Sequence, residues 1–131
     1  MATWPTTEQL EEFLAGPPDQ PVVMLNLLTF KERADGDNAG TTGAEAVGRY
    51  STAMKEFVEA RGGTFVLAAN IDSQLIGTGG EAFDFVGIMR YPSRQVFLEL
   101  AGDPDVAQGI GRDRDAGLES QWLFAMTEVT G

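Results

Sequence analysis

The chain has 131 residues, no cysteine and no histidine, and its 20 acidic side chains against 9 basic ones give a formal net charge of −11. Such a charge repels polyphosphates and anionic lipid headgroups, so we expect neither nucleic acid nor a membrane as a partner. The lack of cysteine excludes disulfides, thiolate nucleophiles and sulfur-ligated metals. Because the sequence shows no secretory leader and no apolar span of about 20 residues, we expect one soluble cytoplasmic domain over residues 1–131.

The first predicted elements are a short helix and an apolar strand. Thr7 is placed to cap a helix from Glu8 to about Ala15, which we interpret as part of a helical arm, residues 1–20, packed on the domain edge. Val22 to Phe30 follows as a strand that is apolar apart from Asn26 and one threonine. A strand that is apolar at both parities is covered on both faces.

A loop and a long helix are predicted next. Residues 31–43 are rich in Asp, Gly, Asn and Thr, so we predict a flexible loop that serves as a lid or as a dimer flap. Thr42, followed three positions later by Glu45, is typical of a capping box. It predicts an amphipathic helix whose apolar stripe contains Tyr50 and which ends at Gly62.

An antiparallel pair of strands follows this helix. We predict one strand from Thr64 to about Ile76 and its return from Asp84 to Tyr91, joined by a glycine-rich turn. Pro92 ends the second strand, and Ser93 is placed to cap the next helix.

The last third of the chain contains a weak helix and a final strand. Gly102 ends the helix that Ser93 begins, and Asp103 predicts a second helical segment that continues toward Leu118. Three glycines weaken that segment, so we expect a bent or two-part helix. The chain closes with a strand from Gln121 to Val129 that is apolar at both parities.

The order of these elements, strand, helix, strand, strand, helix, strand, predicts an α+β fold. It is the order of the ferredoxin-like βαββαβ sandwich, in which helices cover one face of a four-stranded antiparallel sheet. The second face is not polar here, and a second copy of the same sheet is the simplest cover for it. We therefore expect a homodimer through the sheet faces, forming a dimeric α/β barrel.

Short motifs along the chain also resemble a known family by their order. They are Val22 to Leu28, Arg61-Gly62-Gly63, Phe83-Asp84, Tyr91-Pro92-Ser93 with Phe97, Asp103-Pro104-Asp105, and Arg114 with Leu118. In this order, over roughly Pro21 to Val129, they resemble the uncharacterised family called domain of unknown function 1330, of the dimeric α/β-barrel superfamily. The resemblance implies a pocket between each sheet and its helices. It also implies the range of that superfamily: cofactor-independent oxygenases, isomerases, dehalogenases and haem enzymes.

One departure from the family pattern limits what the resemblance implies. Related sequences often carry His just ahead of the arginine matched here by Arg114, whereas this chain has Arg112 and Asp113. A proton-transfer role for that His therefore does not carry over, and haem ligation through His is excluded.

The candidate catalytic residues are polar groups within apolar strands. An unpaired Asn26 amide in such a strand would cost about 1 to 3 kcal/mol, so it needs a partner, either a ligand or the backbone. Arg90 shares its parity with Val86 and Ile88 and could bind a carboxylate or enolate oxygen. Its alternative role is an ion pair with an acid such as Asp84.

Four further residues are candidates for substrate binding. Tyr50 is a core residue with a polar hydroxyl or a site residue, and Arg114 binds an anion or forms a structural ion pair. Trp122 is interpreted mainly as a packing residue, with ligand contact as the second alternative. Asp84 would act as a general base only if desolvated, and its position at a strand start suggests exposure.

Other chemistry is not expected. Ser93 has no histidine to activate it and is explained as a helix cap. The glycines around Gly79 lack the spacing of a phosphate-binding loop, and the aspartates from Asp103 to Asp115 are spaced as a solvated helix face. We predict no metal and no cofactor.

Two functions remain from different classes. The first is an enzyme with a mostly apolar pocket and cofactor-independent, oxygenase- or isomerase-like chemistry on a carbonyl-bearing or aromatic acid, in which Asn26 and Arg90 stabilise oxyanion charge. The second is a non-catalytic dimeric module that binds or senses a small apolar or anionic metabolite. RNA binding on the open sheet is opposed by the net charge.

Overall fold

The computed structural model describes residues 5–35, 40–80, 82–104 and 111–129, with side chains in the last range from 114 onward. Its elements are α1 (Thr7–Leu14), β1 (Val22–Phe30), α2 (Gly43–Glu59), β2 (Thr64–Asn70), β3 (Phe85–Tyr91), α3 (Arg94–Ala101), α4 (Gly111–Gly117) and β4 (Leu118–Met126). The four strands lie in the order β2-β3-β1-β4, and each neighbouring pair is antiparallel. This is the ferredoxin-like arrangement, so the predicted fold class, with its short N-terminal helix, is confirmed.

The strand register divides the side chains between two faces of the sheet. Met24 lies opposite Met89, and Asn26 lies opposite Gly87, on the face that packs against the helices, which we call the covered face. Leu25 and its neighbours of the same parity lie on the other face, which we call the open face. The described helices leave the open face without a cover.

The hydrophobic core lies between the covered face and helices α2 and α3. Its largest cluster of buried side chains takes residues from all of these elements, so the helices are held by apolar packing against the two central strands. The cluster consists of Val22, Met24, Met54, Phe57, Val58, Met89, Tyr91 and Leu100.

The bounds of β2 and β4 differ from the predictions by several residues, β4 running from Leu118 to Met126 and not from Gln121 to Val129, and β3 begins one residue later than predicted. β2 ends at Asn70 instead of continuing to Ile76, because its partner strand β3 begins only at Phe85 and leaves later residues without a pairing partner. A single further bond, from Ile71 N to Asp84 O at 2.9 Å, closes the pairing. β4 begins at Leu118, directly after α4, and a register shift beside Phe30 accommodates that early start.

Side-chain caps begin three of the helices. Thr42 accepts from the backbone N–H of Glu45, and Ser93 accepts from that of Val96, as the sequence predicts. The cap of α1 is Thr6, which forms a full capping box with Gln9, and the prediction of Thr7 was wrong by one residue.

A buried arginine attaches α1 to the domain. The Arg94 guanidinium, 9% exposed as a residue, donates from Nη1 to the Phe13 carbonyl at 2.9 Å and lies over the Phe13 ring. Phe13 in turn meets Phe97 edge-on at 5.5 Å between ring centroids. Since α1 itself has no buried residue, these contacts fix its position.

Helices α2 and α4 approach closely at two glycines. A side chain on Gly43 would collide with the Lys31 carbonyl oxygen, and one on Gly117 would collide with the Gly43 carbonyl oxygen. Lys31 N donates to Gly117 O at 2.8 Å, and Asp35 N donates to Ala116 O at 3.0 Å, so backbone bonds attach the end of α4 to the segment that follows β1. The centre of the predicted loop, 36–39, and most of the segment after Asp103 lie outside the described residues. No helix in the described ranges is long and apolar enough to cross a membrane.

Candidate functional site

A small cavity of about 30 Å³ lies between α2 and the covered face. It is far smaller than the roughly 300 Å³ at which metabolite pockets begin, although Met54 and Met89 in its wall are flexible side chains that can repack. Apolar groups form most of its surface. The cavity is lined by Asn26, Leu28, Tyr50, Ser51, Met54, Phe65, Phe85, Gly87, Met89, Arg114, Leu118 and Gln121.

Three polar side chains in this lining form one hydrogen-bonded series, which we call the donor chain. Arg114 donates to Gln121 Oε1 from Nε at 3.1 Å and from Nη2 at 2.7 Å. Gln121 Nε2 donates to Asn26 Oδ1 at 2.7 Å, and Asn26 Nδ2 donates to the Gly87 carbonyl at 3.2 Å. Every bond points the same way, from the guanidinium to the strand backbone, so the positive charge polarises both amides.

Separate elements position the donor chain. Arg114 lies near the end of α4, and Gln121 lies on β4 just after the strand begins. Asn26 lies on β1, opposite Gly87 of the neighbouring strand. Because the Gly43–Gly117 contact holds α4 against α2, the guanidinium is kept over the sheet with only 15% of its side chain exposed. A cation so shielded from water acts more strongly on its neighbours than a surface arginine does.

Tyr50 and Ser51 add polar groups to the lining from α2, and the Tyr50 hydroxyl is buried. Burial raises the pKa of this hydroxyl, Arg114 lowers it, and Asp115 raises it again, with burial the largest effect. The hydroxyl is therefore neutral at pH 7 and acts as a hydrogen-bond donor or acceptor.

The charge of the lining is one-sided. Among the described residues that line the cavity, Arg114 carries the one full charge, and no carboxylate or lysine joins it. Asp115, an acid outside the lining, is 60% exposed and lies 3.6 Å from Arg114 Nη1. Elsewhere in the described part of the chain, no three acidic side chains gather as a metal site would require. The arrangement suits a ligand that carries negative charge or a polarised oxygen.

Arg90 does not share the cavity with Asn26. It lies opposite Val23 and Thr64 on the open face, where its guanidinium pairs with Glu128. Arg90 and Asn26, predicted to stabilise oxyanion charge, therefore lie on opposite faces of the sheet and are not brought together by the structure. The parity assigned to Arg90 was right, but it is the parity of the open face.

Asp84 and Trp122 also lie outside the cavity. Asp84 Oδ2 accepts from the backbone N–H of Phe30 at 2.8 Å, so this exposed carboxylate ties β3 to the end of β1 and is not placed to act as a base. Trp122 lies on the open face, 55% exposed, with its ring 4.8 Å from that of Phe83 and 6.2 Å from that of Phe124.

The sequence analysis missed Gln121, the central member of the donor chain. The criterion that selected Asn26, a polar residue within an apolar strand, applies equally to Gln121 between Leu118 and Leu123. Its place at the start of the predicted strand, Gln121 to Val129, makes this signal weaker, because polar residues are common at strand ends. The structure brings together Asn26, Tyr50 and Arg114 of the six candidates.

The whole chain matches a solved structure of a protein of unknown function from Rhodopseudomonas palustris. The TM-score is 0.82 and the identity 33%, over 98% of this chain and 97% of that one. The chain belongs to the same family as this protein. A methylated form of that family member matches with a TM-score of 0.83 and 32% identity, over 98% of this chain and 96% of that one.

Two solved structures of lower sequence identity share only the fold with this chain. A DABB family protein with a ferredoxin-like fold from Mesorhizobium loti has a TM-score of 0.57 and 14% identity, over 84% of this chain and 98% of that one. SnoaB, a cofactor-independent oxygenase from Streptomyces nogalater, has a TM-score of 0.51 and 14% identity, over 84% of this chain and 96% of that one. No protein-family model and no curated protein matches the sequence.

Proposed function

We propose that the protein binds a small carboxylic acid or carbonyl compound in the cavity under α2 and stabilises negative charge on its oxygen. The observation that carries this proposal is the donor chain: a shielded arginine polarising two amides inside an apolar lining. Each amide nitrogen has two hydrogens, and one of them is used within the chain. The second hydrogen of Gln121 and of Asn26 is the donor offered to a ligand oxygen, with Tyr50 beside them.

Such donors stabilise an oxyanion or enolate without a metal, which is the chemistry expected of a cofactor-independent oxygenase- or isomerase-like enzyme. SnoaB, on the same fold, is one such oxygenase, which makes this class of reaction a reasonable proposal here. Tyr50 does not act as a base at pH 7, because burial raises its pKa and keeps the hydroxyl protonated. The substrate must therefore be acidic enough to ionise by itself, as carbonyl-stabilised or aromatic carbon acids are.

A non-catalytic metabolite-binding module is the second candidate. It is favoured by the lining itself, in which the described residues include no carboxylate, lysine or histidine that could move a proton. The two candidates use the same cavity. Incubation with a metabolite panel distinguishes them, since the enzyme converts at least one compound and the module returns every bound compound unchanged.

Binding is tested by titrating small carboxylates into the protein and following backbone amide shifts by NMR. We expect Arg114→Met to weaken the affinity for a carboxylate at least tenfold, because the cation of the cavity is lost. The matched control is Arg90→Met, which removes the same group from the open face and should leave the affinity unchanged. Equal affinity in the wild type and in both variants would contradict the proposal.

We further propose that the open face binds a second copy of this chain. Its apolar side chains are exposed: Leu67 is 48% exposed, Trp122 55% and Phe124 46%. One ion pair, Arg90 with Glu128, lies at its margin among the described residues of that face. Since the net charge of −11 opposes contact between most surfaces of two copies, this mostly apolar face, whose ion pair carries no net charge, is the surface on which they can meet.

The dimer is tested with two substitutions of similar exposure. Phe124→Glu places a charge on the open face, and Leu14→Glu places one on α1, where the original leucine is 50% exposed. Sedimentation should show a dimer for the wild type and for Leu14→Glu and a monomer for Phe124→Glu. A wild-type monomer at every concentration would overturn the proposal.

We also propose that residues 1–131 form a single domain and that the family belongs to domain of unknown function 1330. The order of the motifs from Val22 to Leu118 supports the assignment. Limited proteolysis tests the single domain. We expect the protease to trim only the two ends and to leave one protected fragment, because a second domain would give a second, shorter fragment.

A further inference from the structure

Gly87 is an unexpected residue at the centre of the sheet. It lies in the middle of β3, a strand paired on both sides, opposite Asn26 on β1 and Ala68 on β2. Glycine is unfavourable in a strand interior because it loses more backbone freedom than other residues and has no side chain to pack. The backbone conformation, the packing and the cavity around Gly87 are therefore the three places where an explanation for this glycine can lie.

The strand geometry does not require this glycine. The non-standard backbone conformations that need glycine occur at Gly62, Gly77 and Gly79 among the described residues, and Gly87 is not one of them. Pairing with β1 runs through it without a bulge. The irregularity in the pairing with β2 falls two residues along, between Phe65 and Leu67.

Packing does not require it either. A Cβ built on Gly87 would have one neighbour within 4 Å, the Phe85 ring carbon Cε1, at 3.7 Å, which is ordinary van der Waals contact. An alanine would therefore fit without displacing the protein. The direction in which that Cβ would point is the covered face, where Gly87 lines the cavity.

We infer that Gly87 determines the specificity of the cavity, by leaving its floor open for a flat ligand group. This inference rests on the proposed function and names its ligand class: an aromatic or conjugated carboxylic acid. Phe65 and Phe85 stand in the lining on neighbouring strands, with the bare backbone of Gly87 between them. The cavity of about 30 Å³ must widen to admit a ring, which repacking of the flexible Met54 and Met89 side chains allows. A planar ring can then lie against that backbone with its carboxylate toward the amides of Asn26 and Gln121.

The first test compares two acids of equal charge and ring size, benzoate and cyclohexanecarboxylate, with 2-naphthoate as a larger planar acid. Binding to the wild type is followed by NMR through the backbone amides of Gly87 and Asn26. We expect benzoate to bind at least fivefold more tightly than cyclohexanecarboxylate, because its flat ring reaches the floor and the puckered ring does not. Equal affinities for the two acids would overturn the assignment of a planar ligand.

The second test uses Gly87→Ala and Gly87→Val. Both should weaken benzoate binding at least tenfold while the melting temperature is unchanged or higher, since both residues suit a strand better than glycine does. The control is Gly48→Ala on the exposed side of α2, where an added Cβ has no neighbour within 4 Å. It should leave binding unchanged.

The possible outcomes separate this inference from the proposed function. If the wild type binds carboxylates and both Gly87 variants bind them equally well, the role of Gly87 is wrong while the proposed function stands. If the variants unfold, Gly87 is a structural residue and the inference is wrong. Even fragments of weak affinity bind at a concentration of about 10 mM. If the wild type binds none of the three acids at that concentration, both proposals fail.

Discussion

The two faces of one sheet use their polar residues in opposite ways. On the covered face, Asn26, Gln121 and Arg114 are part-buried and bonded in series beside a cavity. On the open face, Arg90 and Glu128 form an ion pair with side chains 39% and 50% exposed, beside apolar groups that face outward. Polar interactions on the covered face should therefore contribute more to the free energy of unfolding than the ion pair on the open face, because water is excluded from one face and not from the other.

We propose on the basis of this difference that the covered face binds the small molecule and that the open face binds the partner. A shielded arginine that polarises two amides is arranged for a small anion, and it would gain nothing from a flat protein surface. Exposed apolar side chains offer no directional bond to a small molecule, but they are suited to a large complementary surface.

The largest effect is expected where α4 is held against α2 above the covered face. Gly43→Ala would push a methyl group into the Lys31 carbonyl, so we expect a loss of about 3 kcal/mol in the free energy of unfolding, measured by denaturant titration. Gly48→Ala, on the same helix with open space around it, should gain up to about 1 kcal/mol. Similar results for the two variants would show that the close contact of α2 and α4 is not needed.

The donor chain should show the next largest effect. Gln121→Leu removes an acceptor of Arg114 and the donor to Asn26 in a part-buried setting, and we expect it to cost about 2 kcal/mol in denaturant titration. Gln95→Leu is the matched control, because Gln95 is exposed on α3 and bonds only to Glu99 among the described contacts. It should change stability by less than about 0.5 kcal/mol. If Gln121→Leu is equally mild, the donor chain is a surface network and the contrast between the faces disappears.

The sequence was sufficient for the fold because each element carries its own signals. Thr42 and Ser93 cap helices as predicted, and the nine residues of β1 were placed without error. The boundaries of β2 and β4 were wrong because they depend on where a partner strand begins and not on the composition of the strand. Phe85, the first residue of β3, ends the pairing of β2.

The site was only partly predictable, for a related reason. Where both parities of a strand are apolar, parity assigns Arg90 to a face but does not show which face the helices cover. The partner of Asn26 lies 95 positions away at Gln121, a contact that only the packing of β4 beside β1 creates. Local pattern thus identified polar residues of interest, whereas their grouping required the tertiary structure.

The covered face should also show its burial in a dependence on pH. Burial raises the pKa of Tyr50 above its ordinary value of 10.0, and it raises that of Tyr91 as well. The folded protein then keeps these protons at a pH where the unfolded chain releases them. Stability is therefore full below about pH 10 and falls above it, by up to about 1.4 kcal/mol per pH unit for each tyrosine. Tyr50→Phe should reduce this slope between pH 10 and 11, and an unchanged slope would show that Tyr50 is accessible to water.

The smallest change in the free energy of unfolding is expected at the ion pair of the open face. Arg90→Met keeps most of the apolar stem and removes the charge, so at protein concentrations too low for association we expect a change within about 0.5 kcal/mol. Glu128→Gln removes the same pair from its other side and should behave alike. A cost near that of Gln121→Leu would mean that the Arg90–Glu128 pair is shielded from water in the monomer. The proposed dimer adds one distinction. If the Arg90–Glu128 pair is shielded only on association, the loss of stability caused by Arg90→Met should grow as the protein concentration rises. The loss caused by Gln121→Leu should stay constant.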